Sequence, residues 1–151
     1  MPHPYRHILL AVDLAPDTAA VAARARDLLS PDTRLSIIHV IEPLALAYGA
    51  EMPIDLGTLQ EEITKQARTR LETLAREIGD GRADTVMASG SVPKEILRAA
   101  DELGVDLIVI GSHGRRGLAA LLGATANGVL HHAHCDVLAV RIAMPGKTAG
   151  K

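Results

Sequence analysis

Two short segments of the chain carry residue types that hold anionic ligands. The first, Asp13-Leu14-Ala15-Pro16-Asp17-Thr18, follows an apolar run and places a carboxylate acceptor at its end. The second, Gly111-Ser112-His113-Gly114-Arg115-Arg116-Gly117, has three glycines in seven residues and two adjacent arginines. Glycine admits positive φ and close approach, so main-chain N–H groups in such a loop can surround an anion. A helix after the loop adds the positive end of its dipole, and Arg115 and Arg116 add full charges. The combination suits a phosphate ester, and Asp13 suits a ribose hydroxyl. The plain alternative is that Gly111 and Gly114 only turn the chain, that the arginines are solvated and that Asp13 is a turn residue. Spacing alone leaves both readings open. Asp17 or Thr18 is expected to cap a helix rather than meet a ligand.

Other chemistry-bearing residues fit less demanding roles. His131, His132, His134 and Cys135 match no structural zinc spacing, and histidines are favoured at the end of a helix, so no metal held by protein side chains is expected. Cys135 reads as a small buried hydrophobe. His39 reads as a structural histidine. No nucleophile with an adjacent base and no P-loop is visible, so no catalytic residue is assigned. A receiver domain is excluded, because Asp13 has no acidic neighbour and the third strand runs into Met87-Ala88-Ser89-Gly90.

These segments must be positioned by the elements around them. Continuous apolar runs at 7–13, 35–40, 106–110 and 136–141, with a weaker one at 84–88, read as strands covered on both faces. Helical patterns lie between them. One spans 17–29; a second, at 58–78, opens on a Thr58-to-Glu61 capping box and stops at Gly79. A third, at 93–103, follows Ser91 as N-cap and stops at Gly104, and the fourth spans 118–132. The βαβαβαβαβ order implies a parallel sheet with helices on both faces. In such sheets ligands sit outside the carboxyl ends of the strands, where strand order reverses. If strands one and four are neighbours, both candidate segments face that crevice.

Composition narrows the class. A length of 151 residues suits a single domain, 1–151, with residues 144–151 expected to be a frayed tail. The net charge of −2 argues against nucleic-acid binding, and one cysteine forms no internal disulfide. No apolar run reaches the ~20 residues of a membrane span, and MPHPYRH is not expected to be a signal peptide, so a cytoplasmic location is expected. Tyr5 and Tyr48 are the only aromatics, so any ligand is held without stacking platforms.

With these segments in hand, the chain resembles the universal stress protein family, most closely its single-domain type A members. HILLAVDLAPDT, LSIIHVIEP, DLIVIGSHGRRG and VLHHAHCDVLAVR carry the resemblance, and IDLGTLQEEITKQARTRLETLA resembles the type A pattern between strands two and three. It spans roughly residues 5–143. It implies a Rossmann-like, adenine nucleotide alpha hydrolase-like α/β fold, with a five-stranded parallel sheet of order 3-2-1-4-5.

The family's nucleotide-binding branch carries G-x2-G-x9-G-[ST]. Gly111-x2-Gly114 keeps its first half; Gly123 follows after eight residues rather than nine, with Ala124 in the hydroxyl's place. The ungapped register puts the last glycine on Ala124 and the hydroxyl on Thr125. Losing one neutral hydrogen bond costs about 1 kcal/mol, less than a Cβ where backbone must approach phosphate, so the first register is preferred. For ATP, the resemblance implies that backbone groups of Ala11, Val12 and Val40 frame the adenine, with Ile110 beside them. Asp13 and Gly111 would meet the ribose, and His113, Gly114, Arg115, Gly123, Ala124 and Thr125 the phosphates. Mg²⁺ or Mn²⁺ would be held by phosphate oxygens and water.

Type A members often lack this motif and hold no ATP. Two functions are therefore carried forward: a stress-response regulator that binds ATP or a related adenine nucleotide, and a nucleotide-free homodimeric interaction protein. Weak ATPase or autophosphorylation activity is a third. The last strand is apolar and would form a sheet edge. The resemblance implies a two-fold homodimer on it, through Val137, Leu138, Ala139, Val140 and Arg141.

Overall fold

Residues 5–44, 56–112 and 123–142 are described by the computed structural model. The five apolar runs form strands β1 (His7–Ala11), β2 (Arg34–Ile41), β3 (Asp84–Ser89), β4 (Leu107–Gly111) and β5 (Asp136–Val140). Helices α1 (Thr18–Asp27), α2 (Leu56–Gly79), α3 (Val92–Leu103) and α4 (Ala124–His132) alternate with them. All strand pairs are parallel, in the order β3-β2-β1-β4-β5. The expected fold class and strand order are what the structure has.

The continuous runs are explained by two cores, one on each face of the sheet. Ile8, Leu10 and Val12 point to α1 and α2, where they meet Val21, Ala25 and Leu71. Leu9 and Ala11 point the other way, to Ile96 and Ala99 of α3 and Val129 of α4. Period-two alternation with both faces covered leaves no position of β1 for a polar side chain, except where one is paired. That exception is His7, whose Nε2 lies 2.8 Å from the buried Ser36 hydroxyl. Burial, with help from the Arg34 charge, pushes its pKa down and keeps the ring neutral at pH 7.

The helix boundaries bring corrections. Neither Asp17 nor Thr18 caps α1: Asp17 stands at the N-cap without a side-chain bond, and the Thr18 hydroxyl donates to Asp13 instead. The helix α2 already includes Leu56, so Thr58 lies in its first turn and not at a cap. Ser91 is at the N-cap of α3 but makes no side-chain cap bond, while Gly104 closes the helix in the left-handed region as expected, at φ 66°. No single helix runs through 118–132, because Gly123 is extended at φ −62°, ψ 158° and α4 starts after it. Residues 118–122 of that expected helix, residues 45–55 between β2 and α2 and the tail beyond Ile142 lie outside the described residues.

At the α2–β3 turn, a Cβ built on Gly79 would lie 2.5 Å from the Ala83 Cβ, an atom rigidly attached to the backbone. Helix propensity favours Gly79→Ala by about 1 kcal/mol, whereas overpacking of this kind costs about 1–3 kcal/mol. Gly79→Ala is therefore expected to lower the urea midpoint, and adding Ala83→Gly to restore it. A double-mutant coupling near zero would contradict the close approach.

Candidate functional site

Pairing of β1 with β4 sets the residues that lead into the two candidate segments, Asp13 and Gly111-Ser112, at one mouth, since the order β2-β1-β4 places the reversal of strand order between them. The β1–α1 loop leaves the sheet at Asp13. Its Oδ1 accepts the Ala15 amide at 3.0 Å and the Thr18 hydroxyl at 3.3 Å, forming an Asx-type turn. Both bonds go to one carboxylate oxygen of an exposed side chain. The next residue, Leu14, is buried with φ 61°, a conformation costly for a residue with a Cβ. The turn and a bond from the Arg70 guanidinium to the Leu14 carbonyl hold it there.

The far side of the mouth is built from β4, β5 and α4. Gly111 ends β4; a Cβ there would meet Ile142 Cδ1 at 2.6 Å and Val21 Cγ2 at 3.3 Å. Its missing side chain thus lets Ile142 and α1 close over the strand, a packing requirement separate from any ligand. Ile110 is buried toward α3 and α4, so only its backbone can line the mouth. The buried Ser112 donates its amide to the Val140 carbonyl at 2.8 Å and accepts the Gly123 amide at 2.6 Å. The two residues that flank positions 113–122 are therefore hydrogen-bonded to each other. The expected site residues His113, Gly114 and Arg115 lie within that segment, outside the described residues.

Gly123 presents no side chain to the first turn of α4, and its carbonyl takes the Asn127 amide at 2.9 Å. No acid stands in that turn, Ala124 is exposed and Thr125 half-buried. Among the described residues no side chain caps the opening amides of α4, the condition in which a helix start attracts an anion.

Main-chain groups complete the mouth. The β1–β2 ladder reaches its last rung where the Val12 amide meets the Ile38 carbonyl at 3.0 Å. Ile38 turns its carbonyl to β1, whereas Ile41, three residues on, gives its own to Gly90 beyond β3. Alternation then turns the amide and carbonyl of Val40 to the β1 side, one rung past the end of the ladder. The Val12 carbonyl is met by Nδ1 of His39 at 2.9 Å. The ordering contact of His39 with Val12 had no signal in the sequence, because it depends on the register of two strands.

The remaining candidates are separate from this mouth. His132 Nδ1 bonds the Gly128 carbonyl at 3.0 Å and His134 Nδ1 meets Asp101 at 3.2 Å, both on the surface. Among the described residues, no three His, Cys, Asp or Glu side chains form a group that could hold a metal. Cys135 is half-buried against the α3/α4 core, and burial, reinforced by Asp136, pushes its thiol pKa up. On β5, an edge strand, Val137, Leu138 and Ala139 are half-buried, Val140 is buried and Arg141 is exposed. Among the described residues, no helix is long and apolar enough to cross a membrane.

A helix start and main-chain groups line the crevice between β1 and β4 of a doubly wound, Rossmann-like α/β domain, the fold of the solved structures it superposes on. Residues 4–141 match the model of the universal stress protein family, and the chain belongs to that family. Universal stress protein A homolog 1 of Coxiella burnetii is 41% identical over 138 residues, covering 90% of this chain and 96% of that protein. The solved structure of hypothetical protein MJ0577 superposes with a TM-score of 0.80 at 24% identity, covering 93% of this chain and 98% of the other. A universal stress protein in complex with cAMP superposes with a TM-score of 0.60 at 21% identity, covering 90% and 96%.

Proposed function

We propose that this chain binds ATP or a related adenine nucleotide at the carboxyl edge of its sheet and acts as a cytoplasmic stress-response regulator. The carrying observation is the meeting, at one mouth, of an uncapped α4 start, the Asp13 carboxylate and the outward-turned main chain of Val40. The opening amides of Ala124 and Thr125 would receive phosphate oxygens, as helix starts do. Asp13 would accept a ribose hydroxyl on its second carboxylate oxygen while the first holds the turn. The amide and carbonyl of Val40 would meet the base edge, with the backbone of Ala11, Val12 and Ile110 beside it. A structural neighbour in complex with cAMP supports the ligand class. Where a triphosphate is bound, Mg²⁺ or Mn²⁺ would sit on its oxygens and on water. Binding rather than turnover is the proposed role. The proposed assembly is a homodimer paired through β5.

Thermal unfolding with and without millimolar Mg-ATP, and separately with cAMP, tests the reading. A ligand that binds only the native state at 100 times its Kd adds about 2.7 kcal/mol, a rise of several degrees for a domain of this size. A rise with either nucleotide supports the reading. No rise with either overturns it in favour of the nucleotide-free homodimeric interaction protein, whose elution as a dimer would then be the property to examine.

A further inference from the structure

We infer that His39 is a positioning residue for this site: its imidazole occupies the acceptor that would extend the β1–β2 ladder, and so keeps the main chain of Val40 turned to the ligand. The inference rests on the adenine-nucleotide reading above and adds what builds the base subsite.

In a parallel pair the rungs are evenly spaced, so after the Val12 amide meets the Ile38 carbonyl, the next rung takes the Val40 amide to the Val12 carbonyl. That carbonyl is instead met at 2.9 Å by Nδ1 of His39. A carbonyl only accepts, so Nδ1 carries the proton and donates. His39 lies between Ile37 and Ile41, both packed toward α1 and α2, and its half-buried ring reaches the end of β1 from that face. One side-chain bond thus replaces one main-chain bond, and the Val12 carbonyl stays satisfied while β1 turns away into the Asp13 loop. Val40 is left presenting a donor and an acceptor side by side. Adenine offers the complementary pair, the N6 amino donor and the N1 acceptor. Guanine offers them reversed, O6 as acceptor and N1–H as donor. The device therefore gives a base preference, which a site made only of phosphate contacts would lack.

The test compares the parent protein with His39→Leu and His39→Asn, the latter placing an amide nitrogen where Nδ1 stood. Titration calorimetry with Mg-ATP and Mg-GTP reads the preference, and NMR hydrogen exchange reads the Val40 amide in the ligand-free protein. In the parent, the Val40 amide exchanges much faster than that of Ile38. In His39→Leu the freed carbonyl takes the Val40 amide, its exchange slows, and ATP affinity falls about tenfold with GTP affinity unchanged. His39→Asn keeps both parental properties. Loss of affinity for both nucleotides in equal measure, or an unchanged ATP-to-GTP ratio in His39→Leu, overturns the inference. If the parent protein binds neither nucleotide, the adenine reading fails separately. Exchange then decides the structural half: slowing at Val40 in His39→Leu upholds it, and a Val40 amide already protected in the parent overturns it.

Discussion

Ala124→Glu is expected to remove the rise in Tm that Mg-ATP gives the parent protein, while the ligand-free Tm stays level or climbs slightly. The two effects have opposite signs because one feature, the uncapped start of α4, produces both. A carboxylate in the first helical turn interacts favourably with the helix dipole, by about 0.3–1 kcal/mol at an exposed position such as this one. The same charge about 5 Å from a phosphate oxygen repels it by about 3 kcal/mol at an effective dielectric near 20, more than a hundredfold in affinity. Ala124→Gln, of equal size and without charge, separates repulsion from bulk and keeps most of the rise. Paired thermal melts of the three proteins, with and without Mg-ATP, check this. A full rise in Ala124→Glu would remove the helix start from the phosphate site.

The second large effect lies at the opposite edge of the sheet. The Asp106 carboxylate accepts the Arg6 amide at 2.9 Å and the His7 amide at 2.9 Å, and the Asp106 amide returns a bond to the His7 carbonyl at 3.0 Å. This clasp fixes the entry of β1 beside β4. Burial works against ionisation of Asp106. The main-chain donors of Arg6, His7 and Asp106 itself, with the Arg6 charge, outweigh it and hold its pKa below the ordinary value. Asp106→Ala strips the acceptor from two main-chain donors and is expected to cost about 2–3 kcal/mol. The pH dependence has a definite sign. A carboxyl with a lowered folded pKa adds stability that is fully present above its unfolded pKa, about 4, and is lost as pH falls through the folded value. The gap between the parent and Asp106→Asn is thus widest near neutral pH and closes in acid. Urea midpoints of both proteins between pH 7 and pH 2.5 measure it, and a gap independent of pH would contradict the clasp.

What was legible in the sequence follows the reach of the forces involved. The strands could be read because burial on both faces demands apolar residues at every position, as in Ile8-Leu9-Leu10 and Ile108-Val109-Ile110. The end of α3 could be read because the left-handed conformation at Gly104 is a local demand. The helix starts were less legible. Thr18 and Asp13 have the composition of a cap, yet they bond to each other, since the Asx turn satisfies the local donors first. Leu14 gave no sign of a positive φ, because Arg70, 56 residues away, holds it there. The candidate site divides the same way. Asp13 and Gly123 stand out as residue types, whereas His39 on Val12 and Asp106 on the β1 amides exist only once strands have paired in register.

The bond between the Ser112 carbonyl and the Gly123 amide has a consequence for the glycine spacing that departs from the family motif. By joining the two residues that flank positions 113–122, it closes a ring through those ten residues. The entropy of closing such a ring grows only with the logarithm of its size. One residue more or fewer changes it by about 0.1 kcal/mol. A length change inside the ring therefore does not shift β4 or the start of α4. Relatives with eight or nine residues between the second and third glycines can share one sheet and one helix start, and motif spacing across this ring separates them by sequence without separating them by architecture.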